Sequence, residues 1–131
     1  MSENKKYDPA FLGKKISNPV DEVDLIPWEG DSITVKLECS EFTSVCPVTG
    51  QPDFGELEIV YRPLNAIIET KSLKLYLLKF RDHGVFSESL VNQIAEELWQ
   101  QVKPEWICVH GYFNSRGGIA IDVEATRGDV D

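Results

Sequence analysis

Across 86–102 the apolar residues Phe86, Leu90, Val91, Ile94, Ala95, Leu98, Trp99 and Val102 recur at the three- and four-residue spacing of a helix. A stripe that wide has to cover something. What it can cover is set by its flanks, where the period changes to two. Ile33, Val35, Leu37 and Cys39 alternate with Thr34, Lys36 and Glu38 over 32–39. Leu57, Ile59 and Tyr61 alternate with Glu58 and Val60 over 56–62. Segments 106–113 and 118–124 alternate in the same way and are joined by the turn-like Asn114-Ser115-Arg116-Gly117. Each reads as a half-buried strand. Ser87 stands as the N-cap of the helix, with Glu88 in its first turn, and Pro104 marks its end.

Segment 70–81 fits two periods. Leu73, Tyr76, Leu77 and Phe80 suit a helix face, while Leu73, Leu75 and Leu77 suit a strand. Its length and its Lys and Leu content favour helix. The order is then β-β-α-α-β-β, an α+β unit in which two hairpins flank a helical pair. At 131 residues the chain suits one domain. We expect that domain over 32–126, an N-terminal arm over 1–31 that Phe11 and Trp28 anchor, and a frayed tail over 127–131.

A hydrophobic share of 42% is enough to bury a real core. A net charge of −9 argues against general nucleic-acid binding, which needs a basic surface. Three cysteines at irregular spacing make no disulfide framework and fit a reducing compartment. No apolar run approaches the ~20 residues of a membrane span. The opening residues lack a signal-peptide core. The expected location is the cytoplasm.

Segment 41–55, EFTSVCPVTGQPDFG, sets Cys46 among turn-forming residues, with Asp53 seven positions on. A thiol and a carboxylic acid on one loop suit a nucleophile and a proton donor. They equally suit a loop-edge residue and a turn aspartate, and local context divides evenly between the two. Cys39 and Cys108 fall on apolar strand faces and are expected in the core. Their spacing, with His83 and His110 unpaired, is not that of a zinc site, and no metal is expected. Segment 69–81 holds Lys71, Lys74, Lys79 and Arg81 with no acid after Glu69. It suits either a solvated basic face or a phosphate-bearing ligand, with Ser72 adding a hydroxyl. Glu88 suits the helix dipole, or two donors on a guanine-like edge. Arg116 suits a turn or a phosphate. No Gly-rich strand–helix fingerprint is present.

Four stretches together resemble the NADPH-dependent 7-cyano-7-deazaguanine reductases, the nitrile reductases of queuosine biosynthesis. They are Cys46-Pro-Val-Thr-Gly-Gln-Pro-Asp53-Phe-Gly, Glu69-Thr-Lys-Ser-Leu-Lys-Leu-Tyr76, Phe86-Ser-Glu88 and Arg116-Gly-Gly118. The resemblance implies the tunnelling fold of GTP cyclohydrolase I and homo-oligomers with active sites between subunits. It implies Cys46 as the nucleophile that forms a thioimide with the nitrile, and Asp53 as proton donor. Ile68, Glu69, Thr70, Ser87 and Glu88 then match positions that bind the substrate 7-cyano-7-deazaguanine. Lys71, Ser72, Lys74 and Arg116 match positions on the NADPH side. Family members usually carry His before the matched glutamate, where this chain has Ser87; a hydroxyl bonds hydrogen but does not shuttle protons near neutrality. An amidinotransferase-like relative would use the same thioimide without the basic segment. A non-catalytic oligomeric binding module of the same fold would tolerate loss of Cys46 or Asp53.

Overall fold

The structure, a computed structural model, describes residues 18–129. In chain order the elements are β1 (Leu25–Pro27), β2 (Val35–Val45), β3 (Pro52–Arg62), β4 (Ala66–Ile68), α1 (Thr70–Leu78), α2 (Ser87–Val102), β5 (Trp106–Arg116) and β6 (Ile119–Gly128). The four long strands form one antiparallel sheet in the order β2-β3-β5-β6, and β1 pairs with β4. The expected strand and helix order is present, and segment 70–81 resolves as helix through Leu78.

Register sorts the side chains into two faces. Leu37, Ile59, Val109 and Ala125 stand in one row across the four strands, on the side that α2 covers. Leu90, Val91, Ile94, Ala95 and Leu98 are wholly buried there. Gly111 permits that close approach, since a Cβ on it would lie 2.6 Å from Val91 Cγ2. The neighbouring row, Glu38, Glu58, His110 and Glu124, points to the opposite, acidic face. Cys108 belongs to that face, not to the core as expected. Its Sγ donates to Glu124 Oε1 at 3.2 Å. Burial, then the Glu124 carboxylate, push its pKa up to about 12. Cys39 does pack against the core. All three cysteines are free.

Several boundaries move. The strand expected to end at Cys39 continues to Val45 through a bulge between Cys39 and Phe42. The bulge turns Phe42 inward, where it is 3% exposed and meets the Phe80 and Phe113 rings. Tertiary packing here overrides the turn preference of Thr43 and Ser44. Segment 41–55 is therefore mostly hairpin, and its turn spans only 46–51. Phe86, expected on the apolar stripe, is 58% exposed and occupies the N-cap of α2 with no side-chain cap bond. Ser87, expected as that cap, is the first helical residue and is buried. Lys103 closes α2 in the left-handed region (φ 51°), directly before Pro104.

Strand β6 runs on past the expected frayed boundary. Gly128 pairs with Trp106, and the Arg127 guanidinium binds Glu96 and Asn92. The arm is partly structured: β1 lies within it, Val23 joins the core, and Trp28 donates to the Asp31 carbonyl. Phe11, the other expected anchor, lies outside the described residues. No helix among the described residues is long and apolar enough to cross a membrane.

Candidate active site

Cys46 closes the β2–β3 hairpin. Its N–H donates to the Gln51 carbonyl at 2.9 Å, and its own carbonyl accepts from Gly50 N–H at 3.0 Å. Gly50 makes this possible with φ 71°, in the left-handed region. The turn aims donors at the sulfur. The Thr49 hydroxyl, then the Thr49 and Val48 N–H groups, hold the Cys46 thiol below its ordinary pKa, against partial burial and the nearby Asp53 charge. Asp53 is thus close enough to Cys46 to act on its charge. It stands on β3 rather than on the same loop, across the ladder from Ser44.

The segment before α2 is fastened to this turn. Val85 N–H donates to the Val45 carbonyl at 3.2 Å, and Gly84 bridges to Val45 in parallel. Gly84 packs closely there, since a Cβ on it would lie 3.3 Å from Pro47 Cα, a tight contact. Ser87 and Glu88 follow within four residues, the first buried and the second exposed. Phe113 pairs with Gly55, so Arg116, the last residue of β5, lies at the same end of the sheet.

The remaining expected site residues form a second cluster. Ile68 N–H donates to the Tyr61 hydroxyl at 2.9 Å, which ties the start of α1 to the far end of β3. In an extended strand, Asp53 and Tyr61 stand roughly 26 Å apart. Glu69 is 5% exposed and caps α1, its carboxylate accepting from Lys71 N–H at 2.7 Å and Ser72 N–H at 2.8 Å. The Ser72 hydroxyl is fully buried; it donates to the Glu69 carbonyl and accepts from Asp24 N–H, both at 2.7 Å. It holds the helix start and presents nothing to the surface, unlike the cofactor contact expected of it. Thr70 and Lys74 are exposed.

Between α1 and β2 runs a groove of about 480 Å³. Phe42, Leu73, Leu77 and Leu78 line it, with Thr70, the cations Lys36, Lys74 and Arg81 and the carboxylates Glu38 and Glu41. Lys36 is itself paired with Glu58 at 3.5 Å. Lys79 does not share this basic face. Its ammonium lies 2.9 Å from Glu97 Oε1 and over the Tyr76 ring. Lys74 and Arg81 beside the apolar floor suit the phosphates and flat base of a ligand, on the side of the groove away from Lys36 and its Glu58 partner.

Sequence reasoning missed Thr49 and Ser44. A threonine three positions after a turn cysteine was a usable signal for the first. Nothing local marks Ser44. Among the described residues no group of three or more His, Cys, Asp or Glu side chains is placed to hold a metal ion.

Two helices on one face of a four-stranded antiparallel sheet define the α+β tunnelling fold. The crystal structure titled the archaeosine synthase QueF-Like in the apo form has this fold. It superposes with a TM-score of 0.67 at 22% identity, over 79% of this chain and 100% of that one. The family model described as QueF-like protein matches residues 52–131. A Brucella anthropi protein is 44% identical over 130 residues, 94% of this chain and 84% of that protein. One from Helicobacter pylori strain Shi470 is 54% identical over 87 residues, 66% of this chain and 60% of that protein. One from Bradyrhizobium diazoefficiens is 47% identical over 104 residues, 79% and 68% of the two. All three are named NADPH-dependent 7-cyano-7-deazaguanine reductase. The chain belongs to the QueF-like protein family.

Proposed function

We propose that this protein reduces the nitrile of 7-cyano-7-deazaguanine to the aminomethyl group with NADPH, in the cytoplasm, on the route to queuosine in tRNA. The observation that carries this reading is the Cys46 thiol, held below its ordinary pKa by Thr49 and Val48 and within reach of the Asp53 charge. The names of the relatives supply substrate and cofactor.

The Cys46 thiolate adds to the nitrile carbon, so that a C–S bond forms and one C–N π bond breaks. The Asp53 carboxyl is the group that delivers a proton to the nitrile nitrogen. The product is a thioimide, a C=N that accepts hydride far more readily than a nitrile does. NADPH supplies hydride twice. The first adds to the thioimide carbon, the C–S bond breaks and Cys46 leaves as thiolate, giving an imine that the walls of the site keep from water. The second adds to the imine carbon as its nitrogen takes a proton from the reprotonated Asp53 carboxyl, completing the amine. Glu88 accepts two donors from the guanine-like edge, with Ser87 beside it, and Ile68, Glu69 and Thr70 complete the substrate contacts from a neighbouring subunit. Lys74 and Arg81 take phosphate in the α1–β2 groove, with Lys71 one turn away on α1 and Arg116 reserved for a phosphate at the Cys46 end of the sheet. That groove favours reduction over amidino transfer, which has no use for a phosphate-bearing cofactor.

The test mixes protein and nitrile without NADPH and reads the intact mass. One substrate mass is expected on the wild type and none on Cys46→Ala. Loss of nicotinamide absorbance should follow when NADPH is added. An adduct that survives Cys46→Ala overturns the assignment.

A further inference from the structure

We propose that Ser44 is a positioning residue for the Asp53 carboxyl. The inference rests on the reading above and extends it to a residue outside the motif that carried it. Ser44 is 0% exposed, and its Oγ has no hydrogen-bond partner among the described residues. A buried hydroxyl left unpaired costs free energy, and buried polar groups are usually paired. Its place in the ladder names the partner. Ser44 is in register with Asp53, as Phe42 is with Gly55, so the two side chains leave the sheet on the same face. Directly opposed residues carry their Cβ atoms about 4.5–5.5 Å apart, so one rotation of either side chain closes the bond.

The backbone on both sides of Ser44 is held. Val45 is fastened to Val85 and bridged to Gly84, and Cys46 is bonded to Gln51. Only side chains therefore need to turn. A hydroxyl suits both states of the acid. It donates to the carbonyl oxygen of the carboxyl, which leaves the acid O–H for the nitrile nitrogen, and goes on donating to the carboxylate afterwards. The Asp53 carboxyl thus stays aimed at the Cys46 side through the transfer. Phe42, on the same face two residues earlier, keeps this floor apolar, which strengthens the bond.

Ser44→Ala and Ser44→Thr are compared with the wild type in four measurements: thermal midpoint, adduct mass with the nitrile alone, kcat and KM with NADPH, and the solvent deuterium isotope effect on kcat. Ser44→Ala should keep or raise the thermal midpoint, because it removes a buried hydroxyl that has no hydrogen-bond partner among the described residues. It should still form the adduct, lose about 10- to 100-fold in kcat with KM little changed, and show a larger isotope effect. Ser44→Thr, which restores the hydroxyl, should recover part of kcat. Wild-type kcat and isotope effect in Ser44→Ala overturn the proposal. So does a fall in kcat that tracks a lowered midpoint and is not relieved in Ser44→Thr. A wild type that forms no adduct overturns the underlying reading instead, and the role of Ser44 falls with it.

Discussion

Cys46 differs from the other two cysteines in its surroundings alone. The turn around it supplies three donors to the sulfur, while Cys108 faces a carboxylate from a half-buried position. The thiolate is the reactive form, so the two sulfurs diverge in opposite directions from the same starting chemistry. Near neutral pH iodoacetamide should therefore label Cys46 first and leave Cys108 untouched. Thr49→Val removes the largest of the three contributions and keeps the side-chain shape. It should raise the pH at which Cys46 becomes reactive and slow its alkylation several-fold at neutral pH. Rates of labelling against pH, read by peptide mass, check both statements. An unchanged profile in Thr49→Val would leave the backbone donors as the whole cause.

The elements divide by what their sequence had to specify. Helix α2 was legible because its apolar stripe is complete, and the sheet because its strands alternate. The tip of the first hairpin was not, since Thr43, Ser44 and Pro52 read locally as turn and only Phe42 packing against Phe80 makes them strand. Alternation told Cys108 from its neighbours but not which face the helices cover. The Val45–Gly84 bridge, which brings Glu88 toward Cys46, leaves no periodic trace at all. The link between α1 and α2 was equally hidden. Glu97 accepts from the Tyr76 hydroxyl at 2.6 Å, and from Lys79 and Gln93 at 2.9 Å each. Burial alone would raise its pKa, but these donors together hold it below the ordinary value. A depressed carboxylate stabilises the fold above its unfolded pKa, about 4.3, and that stability is lost as the pH falls through the folded value. Tyr76→Phe should cost about 1–2 kcal/mol at pH 7, and the gap from wild type should narrow in acid. Urea unfolding at the two pH values measures it. On the outer side of α1, Lys74→Ala should weaken NADPH binding roughly 10- to 100-fold and leave the nitrile adduct intact. Titration of NADPH into both proteins decides this, and equal affinities would return the segment to a solvated basic face.

At the scale of the molecule, the expected site is split. Cys46, Asp53, Ser87 and Glu88 gather at one end of the sheet, and Ile68, Glu69, Thr70 and Lys71 at the other. One chain does not bring the two groups into contact, because the length of β3 lies between them. A second copy would. Strands β2 and β6 are the outer strands of the sheet, each with an edge for another chain to continue. Exposed apolar side chains, Val48, Phe54, Phe86 and Ile119, collect at the end that carries Cys46. A homo-oligomer that sets one subunit's Glu69 end against the next subunit's Cys46 end would complete each site from two chains. Sedimentation should therefore give a multiple of the chain mass. The stronger test is complementation. Cys46→Ala and Glu69→Gln should each be inactive alone. When the two are unfolded together and refolded as a mixture, some sites receive wild-type Cys46 from one chain and wild-type Glu69 from the other, so activity should return to a fraction of wild type. Mixed assemblies that form, as native mass spectrometry would reveal, yet stay inactive would place all the reacting groups of a site on one chain.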